Sequence, residues 1–209
     1  IAGGVIERVD IGSAADVNQI RDRGRRVGGH RDGDGDGAEA GAGGGVECRG
    51  RGNGELKLQI DTKGEFNMFG PFEFTEGWYN FTLYDIINKE FEIKKGSRIT
   101  WLGDPYQAIM DIDASYNQLA SLFPIINNPS LANDSQLKRK YPVKVLLMLD
   151  GPMLSPTINF DITAEGLPQN IVTENGTVNL NLEFTAFKNK LDEQELKRQV
   201  FSLIILRRF

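Results

Sequence analysis

Three aspartates have the spacing of the carboxylate ligands in a calcium-binding loop. Asp32, Asp34, Asp36 and Gly37 stand where an EF-hand loop has its first ligands and its turn glycine. The position that requires a bidentate Glu is occupied by Gly43, and no amphipathic helix flanks the motif. Low-complexity Asp-Gly repetition is therefore the better interpretation, and we predict no metal site and no cofactor.

Histidine and cysteine are too scarce for most nucleophilic and metal chemistry. The only histidine is His30 and the only cysteine is Cys48, so the chain can form neither an internal disulfide nor a Cys/His zinc cluster. Because residues 54–209 hold neither imidazole nor thiol, catalysis of the Ser-His-Asp or Cys-His type is excluded there. Asp111 and Asp113 could serve as the acid and base of a glycosidase, but they alternate with apolar residues, which indicates a solvated strand face.

Composition and charge narrow the class of protein further. With 40% hydrophobic and 25% charged residues, the 209-residue chain can bury a sizeable core. A net charge of −5 argues against a general nucleic-acid binder. No apolar run reaches the length of a membrane-spanning helix, and the chain opens at Ile1 without a signal peptide. We therefore expect a non-enzymatic fragment of a longer protein.

The chain divides into two parts of unlike pattern. Residues 21–54 are dominated by Gly, Arg and Asp and show no period of a strand or a helix. Such a segment buries too little apolar surface to offset its chain entropy. We therefore predict that residues 1–53 are a disordered segment of doubtful origin, and that residues 54–209 form the folded domain.

From Glu55 onward, apolar and polar residues alternate as they do in half-buried strands. The same alternation predicts a strand from Val178 to Phe184, after the hairpin signal Asn175-Gly176. Val143–Leu149 is apolar on both faces, which predicts a more deeply covered strand. Gly and Pro pairs, such as Gly70-Pro71 and Glu76-Gly77, are typical of turns between the runs. The pattern predicts an all-β antiparallel meander.

Two segments have the pattern of a helix. Asp192 and Glu195 have the spacing of a capping box, and they precede apolar residues at helical intervals. They predict a short C-terminal helix, although Val200–Leu206 is continuous enough to be a strand. The segment Gln118–Ile126 also fits a helix.

An ordered series of blocks resembles the C-terminal domain of the TamB family. The blocks are Gly77–Phe81, Phe91–Trp101, Gly103–Ala108, Asp113–Tyr116, Leu149–Pro152 with Ser155-Pro156, Phe160–Ile162, and Glu195-Leu196 with Arg198–Leu203. The resemblance covers residues 54–209 and, with the insertion Leu119–Tyr141, is closest to Bacteroidetes members. Residues before it do not resemble the family.

The resemblance implies a curled antiparallel sheet that forms an elongated half-pipe, called a β-taco, with an apolar groove. It also implies a periplasmic domain of an inner-membrane-anchored protein that reaches the outer membrane and a TamA-like barrel there. The implied roles are outer-membrane protein assembly or secretion and phospholipid transport, with acyl chains as ligands and no nucleic acid. Candidate lining residues are Leu56, Leu58, Ile60, Phe72, Phe74, Tyr79, Phe81, Leu83, Phe91, Ile93, Ile99, Trp101, Met110, Ile112, Ile158, Phe160, Leu180 and Leu182.

Three alternatives to a lipid groove stay open at this point. The alternating face could be the ordinary core of a sandwich. The chain could be an outer-membrane β-barrel, although Arg207 interrupts the apolar series of its last segment and many runs are short for a spanning strand. A carbohydrate-active enzyme that uses Asp111 and Asp113 is the third alternative.

Overall fold

A computed structural model of the chain describes residues 6–16, 47–83, 87–126, 137–173 and 176–209. The strands are β1 (Ile6–Asp16), β2 (Glu47–Ile60), β3 (Phe66–Leu83), β4 (Ile87–Ile93), β5 (Arg98–Gly103), β6 (Ile109–Ser121), β7 (Lys140–Pro152), β8 (Thr157–Ala164), β9 (Ile171–Thr173) and β10 (Gly176–Val178). The helices are α1 (Leu180–Lys188) and α2 (Glu193–Leu206), with short 3-10 turns at Pro105–Gln107 and Phe123–Ile125.

Eight of the strands form one antiparallel sheet in the order β1-β2-β3-β4-β6-β7-β8, and β5 pairs with β3 and β6. Strands β4 and β5 occupy the same position in the sheet, one after the other, because both pair with β3 on one side and with β6 on the other. Such a position in the strand order is called a slot. Each slot therefore lies beside the next one in the chain. This confirms the predicted antiparallel meander, and the sheet stays open, with β1 and β8 as its edges among the described strands.

Strand β7 has the covered position that its apolar sequence predicts. It pairs along its whole length with β6 on one side, and from Val143 to Asp150 with β8 on the other. Val143, Val145, Leu147 and Leu149 are buried, and the residues between them are only half-buried. Both faces of this stretch are thus at least partly covered, which is consistent with its weak alternation.

Two neighbouring positions of the sheet are interrupted side by side. In β3, Thr75 is an extra residue, since Arg51 of β2 pairs with Glu76 and Gly52 pairs with Phe74. Directly opposite, residues 94–97 interrupt the slot shared by β4 and β5. Bulges of this kind increase the local twist and bend a strand. The two irregularities are aligned, so the twist and bend that they favour coincide at one place, which is called the crease below.

Ser97 closes the hydrogen-bond network at the crease. Its buried hydroxyl donates to the backbone carbonyl oxygen of Asp113 and accepts from the backbone N–H of the same residue, both at 3.1 Å. The backbone around it is also paired, because Phe74 N–H donates to the Ser97 carbonyl at 2.8 Å. The Ser97 hydroxyl thus gives Asp113 N–H the partner that the interrupted strand does not supply, while the Asp113 carbonyl oxygen also accepts from Lys94 N–H at 2.8 Å.

Replacing Ser97 by alanine should lower the free energy of unfolding by about 1–3 kcal/mol, since the Asp113 N–H loses its hydrogen-bond partner. Urea denaturation followed by circular dichroism measures this change. Ser155→Ala, at an exposed position, is the matched control and should leave the midpoint where it is. A Ser97→Ala midpoint equal to that of the control would contradict the role of the hydroxyl.

The predicted disorder of residues 1–53 is wrong for residues 47–53, which belong to β2, and residues 6–16 form β1. The glycines have a packing reason. A Cβ atom at Gly50, Gly52 or Gly54 would lie 2.5, 2.1 or 2.4 Å from a backbone oxygen of β3, so only glycine permits this close approach. The aspartate motif at residues 32–36 and His30 lie outside the described residues.

Two predicted turns lie inside a strand. Gly70-Pro71 and Glu76-Gly77 are both part of the 18-residue β3. Gly70 has φ of +123°, and an added Cβ would meet the Glu55 carbonyl oxygen at 2.1 Å. Gly70 therefore permits a local distortion within a continuous strand. In the sequence, such a glycine has the same pattern as a turn.

The predicted strand from Val178 to Phe184 is wrong beyond its first residue. The hairpin itself is confirmed, because β9 and β10 pair with Thr173 opposite Gly176. Asn179 then caps α1, and its side chain accepts from Leu182 N–H at 3.0 Å. Leu180 and Phe184 are buried one helical turn apart, whereas Leu182 is exposed. Residues 178–184 fit both the period of a strand and that of a helix, and the Asn179 cap favours the helix.

The C-terminal helix is confirmed with its capping box. The Asp192 carboxylate accepts from Glu195 N–H at 2.8 Å, and the Glu195 carboxylate accepts from Asp192 N–H at 3.4 Å. The helix α2 continues to Leu206, so the alternative of a strand at Val200–Leu206 is wrong. The predicted helix at Gln118–Ile126 is also wrong: β6 extends to Ser121, and only a 3-10 turn follows.

Candidate functional site: the apolar inner face

The candidate site is the inner face of the curled sheet. Alternate residues of each strand point to this face, and eleven of the candidate lining residues are buried there: Leu56, Phe72, Phe74, Tyr79, Phe81, Phe91, Ile93, Ile99, Trp101, Met110 and Ile112. Trp101 satisfies its indole N–H by donating to the Pro105 carbonyl oxygen at 3.2 Å. The predicted alternation therefore identified one continuous apolar surface.

The other seven candidates differ in exposure or in location. Leu58 and Phe160 are half-buried on the same face. Ile60 and Ile158 also lie on it, but they are 60% and 40% exposed. The side chain of Leu83 lies outside the described part of the chain.

Leu180 and Leu182 are the two candidates that the structure places elsewhere. Both belong to helix α1 rather than to a strand of the sheet, so their assignment to the sheet face is wrong. Leu180 is buried in the core, and Leu182 is 64% exposed.

Aromatic rings meet across the interior of the curl. The rings of Phe81 on β3 and Phe160 on β8 are 5.7 Å apart, centroid to centroid, in an edge-to-face arrangement. In a flat sheet these strands would be about 19 Å apart, since four steps of about 4.8 Å separate them. Phe81 also contacts Phe91, and Phe91 contacts Tyr116, at 5.9 and 5.7 Å. The sheet is therefore strongly curled, and side chains fill its interior at this level.

The two C-terminal helices cover part of the inner face. Phe201 of α2 packs against Phe160 with ring centroids 5.9 Å apart, and Val200, Leu203 and Ile204 of the same helix are fully buried. On the outer edge of β8, Lys188 of α1 forms an ion pair of 2.7 Å with Asp161. These contacts fix the helices over the β7–β8 side of the sheet. The residues beneath them form a packed core.

The opposite part of the inner face is uncovered. Ile60 pairs with Phe66, and Leu58 pairs with Met68, at the end of the β2–β3 hairpin. Phe66 is 44% exposed and Met68 is half-buried. Phe66 and Met68 were not predicted as lining residues, because Gly70-Pro71 was interpreted as a turn. Their alternation with Phe72 could have placed them on the same face.

Cys48, which is half-buried, and Tyr79, which is buried, form a pair of weak acids. They lie directly opposite one another on β2 and β3. Burial raises the pKa of the Cys48 thiol to about 12. Burial, with a contribution from Cys48, raises the pKa of Tyr79 to about 12 as well. Both groups are neutral at physiological pH, so this thiol is a poor nucleophile and a structural residue.

Alkylation of Cys48 by iodoacetamide at pH 8 should be more than tenfold slower in the native chain than in urea-unfolded chain, because the folded thiol stays protonated.

The raised pKa of Cys48 also contributes stability to the fold, and this contribution is fully present below pH 9.0, the ordinary thiol value. That stability should be lost as pH rises from about 9 to about 12. Denaturation of Cys48→Ala over the same range should show a shallower loss, and equal slopes would contradict the prediction.

The carboxylates proposed for glycoside hydrolysis lie on the outer face. Asp111 and Asp113 are exposed, and Lys94 forms an ion pair of 3.4 Å with Asp113. Their neighbours on adjacent strands are other surface side chains, such as Asp150 opposite Asp111. This placement matches the predicted solvated face.

Two further properties concern the described residues alone. In that part of the chain, no group of three His, Cys, Asp or Glu side chains is arranged to hold a metal ion. Neither α1 nor α2 has the length and apolar character that crossing a membrane would require.

Comparison with known proteins identifies the family. A family model described as the TamB C-terminal domain matches residues 40–209, which is 170 of the 209 residues. A search of curated proteins found no match. The matched family is involved in protein assembly in the bacterial cell envelope and is in general non-enzymatic. Since the match covers most of the chain and includes the whole sheet from β2 onward, the chain belongs to the TamB family.

Proposed function

We propose that this chain is a non-enzymatic part of a translocation and assembly module in the envelope of a diderm bacterium. In this proposal it assists the assembly or secretion of outer-membrane proteins and the movement of phospholipid between the two membranes. The observation that carries the proposal is the continuous apolar inner face, which extends from the packed core to the uncovered pair Ile60 and Phe66.

The uncovered end is where an acyl chain would first contact the sheet. Each methylene group that leaves water there contributes about 0.8 kcal/mol. Beyond Leu58 and Met68 the interior is filled by aromatic rings, so a longer groove requires that α2 move away from Phe160. In this proposal, the helices close the groove at rest and their displacement extends it.

Family membership supports a proposed location and partner. In this proposal the chain lies in the periplasm, as part of an inner-membrane-anchored protein that reaches a TamA-like barrel in the outer membrane. Sedimentation of the purified chain with a purified TamA-like protein from the same organism tests this. A complex of defined stoichiometry is expected, and separate sedimentation at micromolar concentrations would contradict the assignment.

Lipid extraction and mass spectrometry of the chain, purified without detergent, test the lipid proposal. Co-purifying phospholipid is expected, and its amount should fall in the double variant Ile60→Asp/Phe66→Asp. Leu119→Asp, at an exposed position on β6, is the matched control. Absence of phospholipid from the parent chain, or equal amounts in both variants, would rule out this inner face as a lipid path.

A further inference from the structure

Four large apolar side chains are exposed near one end of the sheet, two on its outer face and two in adjoining turns. Leu102, Tyr106, Ile109 and Leu154 are 68%, 57%, 44% and 72% exposed. Leu102 and Ile109 alternate with residues of the buried inner face, so they point away from the groove. They therefore belong to a surface that the proposed lipid path does not use.

Leu102 and Ile109 lie on the neighbouring strands β5 and β6, whereas Tyr106 lies in the turn that joins these two strands and Leu154 in the turn between β7 and β8. Ile109 pairs with Thr100 of β5 on one side and with Pro152 of β7 on the other. The turn that holds Leu154 is tied to the start of β6, because Met153 N–H donates to the Ala108 carbonyl oxygen at 2.8 Å. Single apolar residues on a surface need no explanation, whereas a group of them marks an interaction site.

An acidic row borders this apolar group. Asp111 of β6 and Asp150 of β7 are exposed and lie directly opposite each other. Arg98 lies on the other side of Asp111, but its guanidinium is 3.2 Å from the Glu73 carboxylate. Among the described side chains, no cation is within ion-pair distance of either aspartate. Like charges in directly opposite positions destabilise a sheet, so the fold itself gains nothing from this arrangement.

A third carboxylate lies on the loop side of the group. Asp104 accepts from the backbone N–H of Tyr106 at 2.9 Å and from the side-chain amide of Gln107 at 3.3 Å. Both donors are neutral, so the negative charge of Asp104 is not compensated by them. The apolar group, Leu102, Tyr106, Ile109 and Leu154, and the carboxylates Asp104, Asp111 and Asp150 together are called the outer docking surface below.

We propose that the outer docking surface binds a protein segment in which aliphatic side chains are flanked by lysine or arginine. The aliphatic side chains would cover Leu102 and Ile109, and the cations would meet Asp111 and Asp150. Charge complementarity selects this partner, because interfaces pair opposite potentials. A membrane surface fits less well, since anionic headgroups would be repelled by three carboxylates.

Fluorescence anisotropy with labelled peptides tests the proposal on the whole chain. The probe is a short peptide of alternating leucine and lysine, and a leucine–glutamate peptide of equal length is its charge-reversed control. The leucine–lysine peptide should bind with an affinity that falls with added salt. The double variants Asp111→Asn/Asp150→Asn and Leu102→Ser/Leu154→Ser should each weaken binding about tenfold or more, which corresponds to about 1.4 kcal/mol.

Glu92→Gln and Leu119→Ser change an acidic and an apolar residue exposed elsewhere on the outer face and should leave the affinity unchanged. Thermal midpoints show that each variant is folded, and Asp111→Asn/Asp150→Asn should not lower the midpoint, because it removes a repulsion. Equal affinity of parent chain and both double variants would overturn the proposal. So would equal binding of the leucine–glutamate peptide, or binding of phosphatidylethanolamine–phosphatidylglycerol vesicles but not of peptide.

Discussion

Replacing Phe81 by alanine is expected to lower the free energy of unfolding by about 3–5 kcal/mol, the usual loss for a large buried aromatic side chain. Phe81 is 4% exposed and its ring contacts Phe91 on the next strand and Phe160 across the curl. The second contact links strands that do not pair, so its loss weakens the curl as well as the local packing. Chemical denaturation monitored by circular dichroism measures the change.

Phe66→Ala is the matched control, because it removes the same side chain from the same strand at a position that is 44% exposed. Its effect should be a small fraction of the Phe81→Ala effect, since little apolar area returns to water. Similar losses in the two variants would show that the interior around Phe81 is not packed as described.

Replacing Leu203 by aspartate is expected to detach α2 from the sheet. Leu203 is fully buried, and a buried carboxylate without a partner costs about 3–5 kcal/mol. Because the helix can leave while the sheet remains, the expected result is exposure of Phe160 and Ile162 rather than complete unfolding. An increase in the fluorescence of a bound apolar dye, together with faster hydrogen exchange in β8, measures this exposure.

Ile205→Asp provides the comparison on the same helix, two residues away, where the side chain is 52% exposed. It introduces the same charge and should change neither the dye signal nor the exchange of β8. Dye binding that rises equally in both variants would show a general effect of charge on the helix. No change in the Leu203→Asp variant would contradict the covering role of α2.

The sheet could be predicted because its burial is one-sided. Phe72 with Phe74, Phe91 with Ile93, and Ile99 with Trp101 all alternate with polar residues, and all are buried as expected. Alternation of period two survives wherever one face meets water and the other meets the core. The hairpin at residues 173–176 and the capping box of α2 were predictable for a similar reason, because their signals are local.

The missed features depend on contacts between distant parts of the chain. Gly50, Gly52 and Gly54 resemble a disordered segment until β3 is placed against them. The stretch after Asn179 satisfies both periods, and only the cap and the burial of Leu180 and Phe184 identify a helix. Likewise, alternation shows which face is apolar but not that rings from β3 and β8 fill it.

The order of strands has a consequence for how the chain folds. Every slot of the sheet pairs with the one made just before it, so each new strand can add to a finished edge as the chain lengthens. The helices come last and cover Phe160 only after β8 is in place. A chain interrupted before residue 180 would therefore present a formed but uncovered apolar face, the state most prone to aggregation.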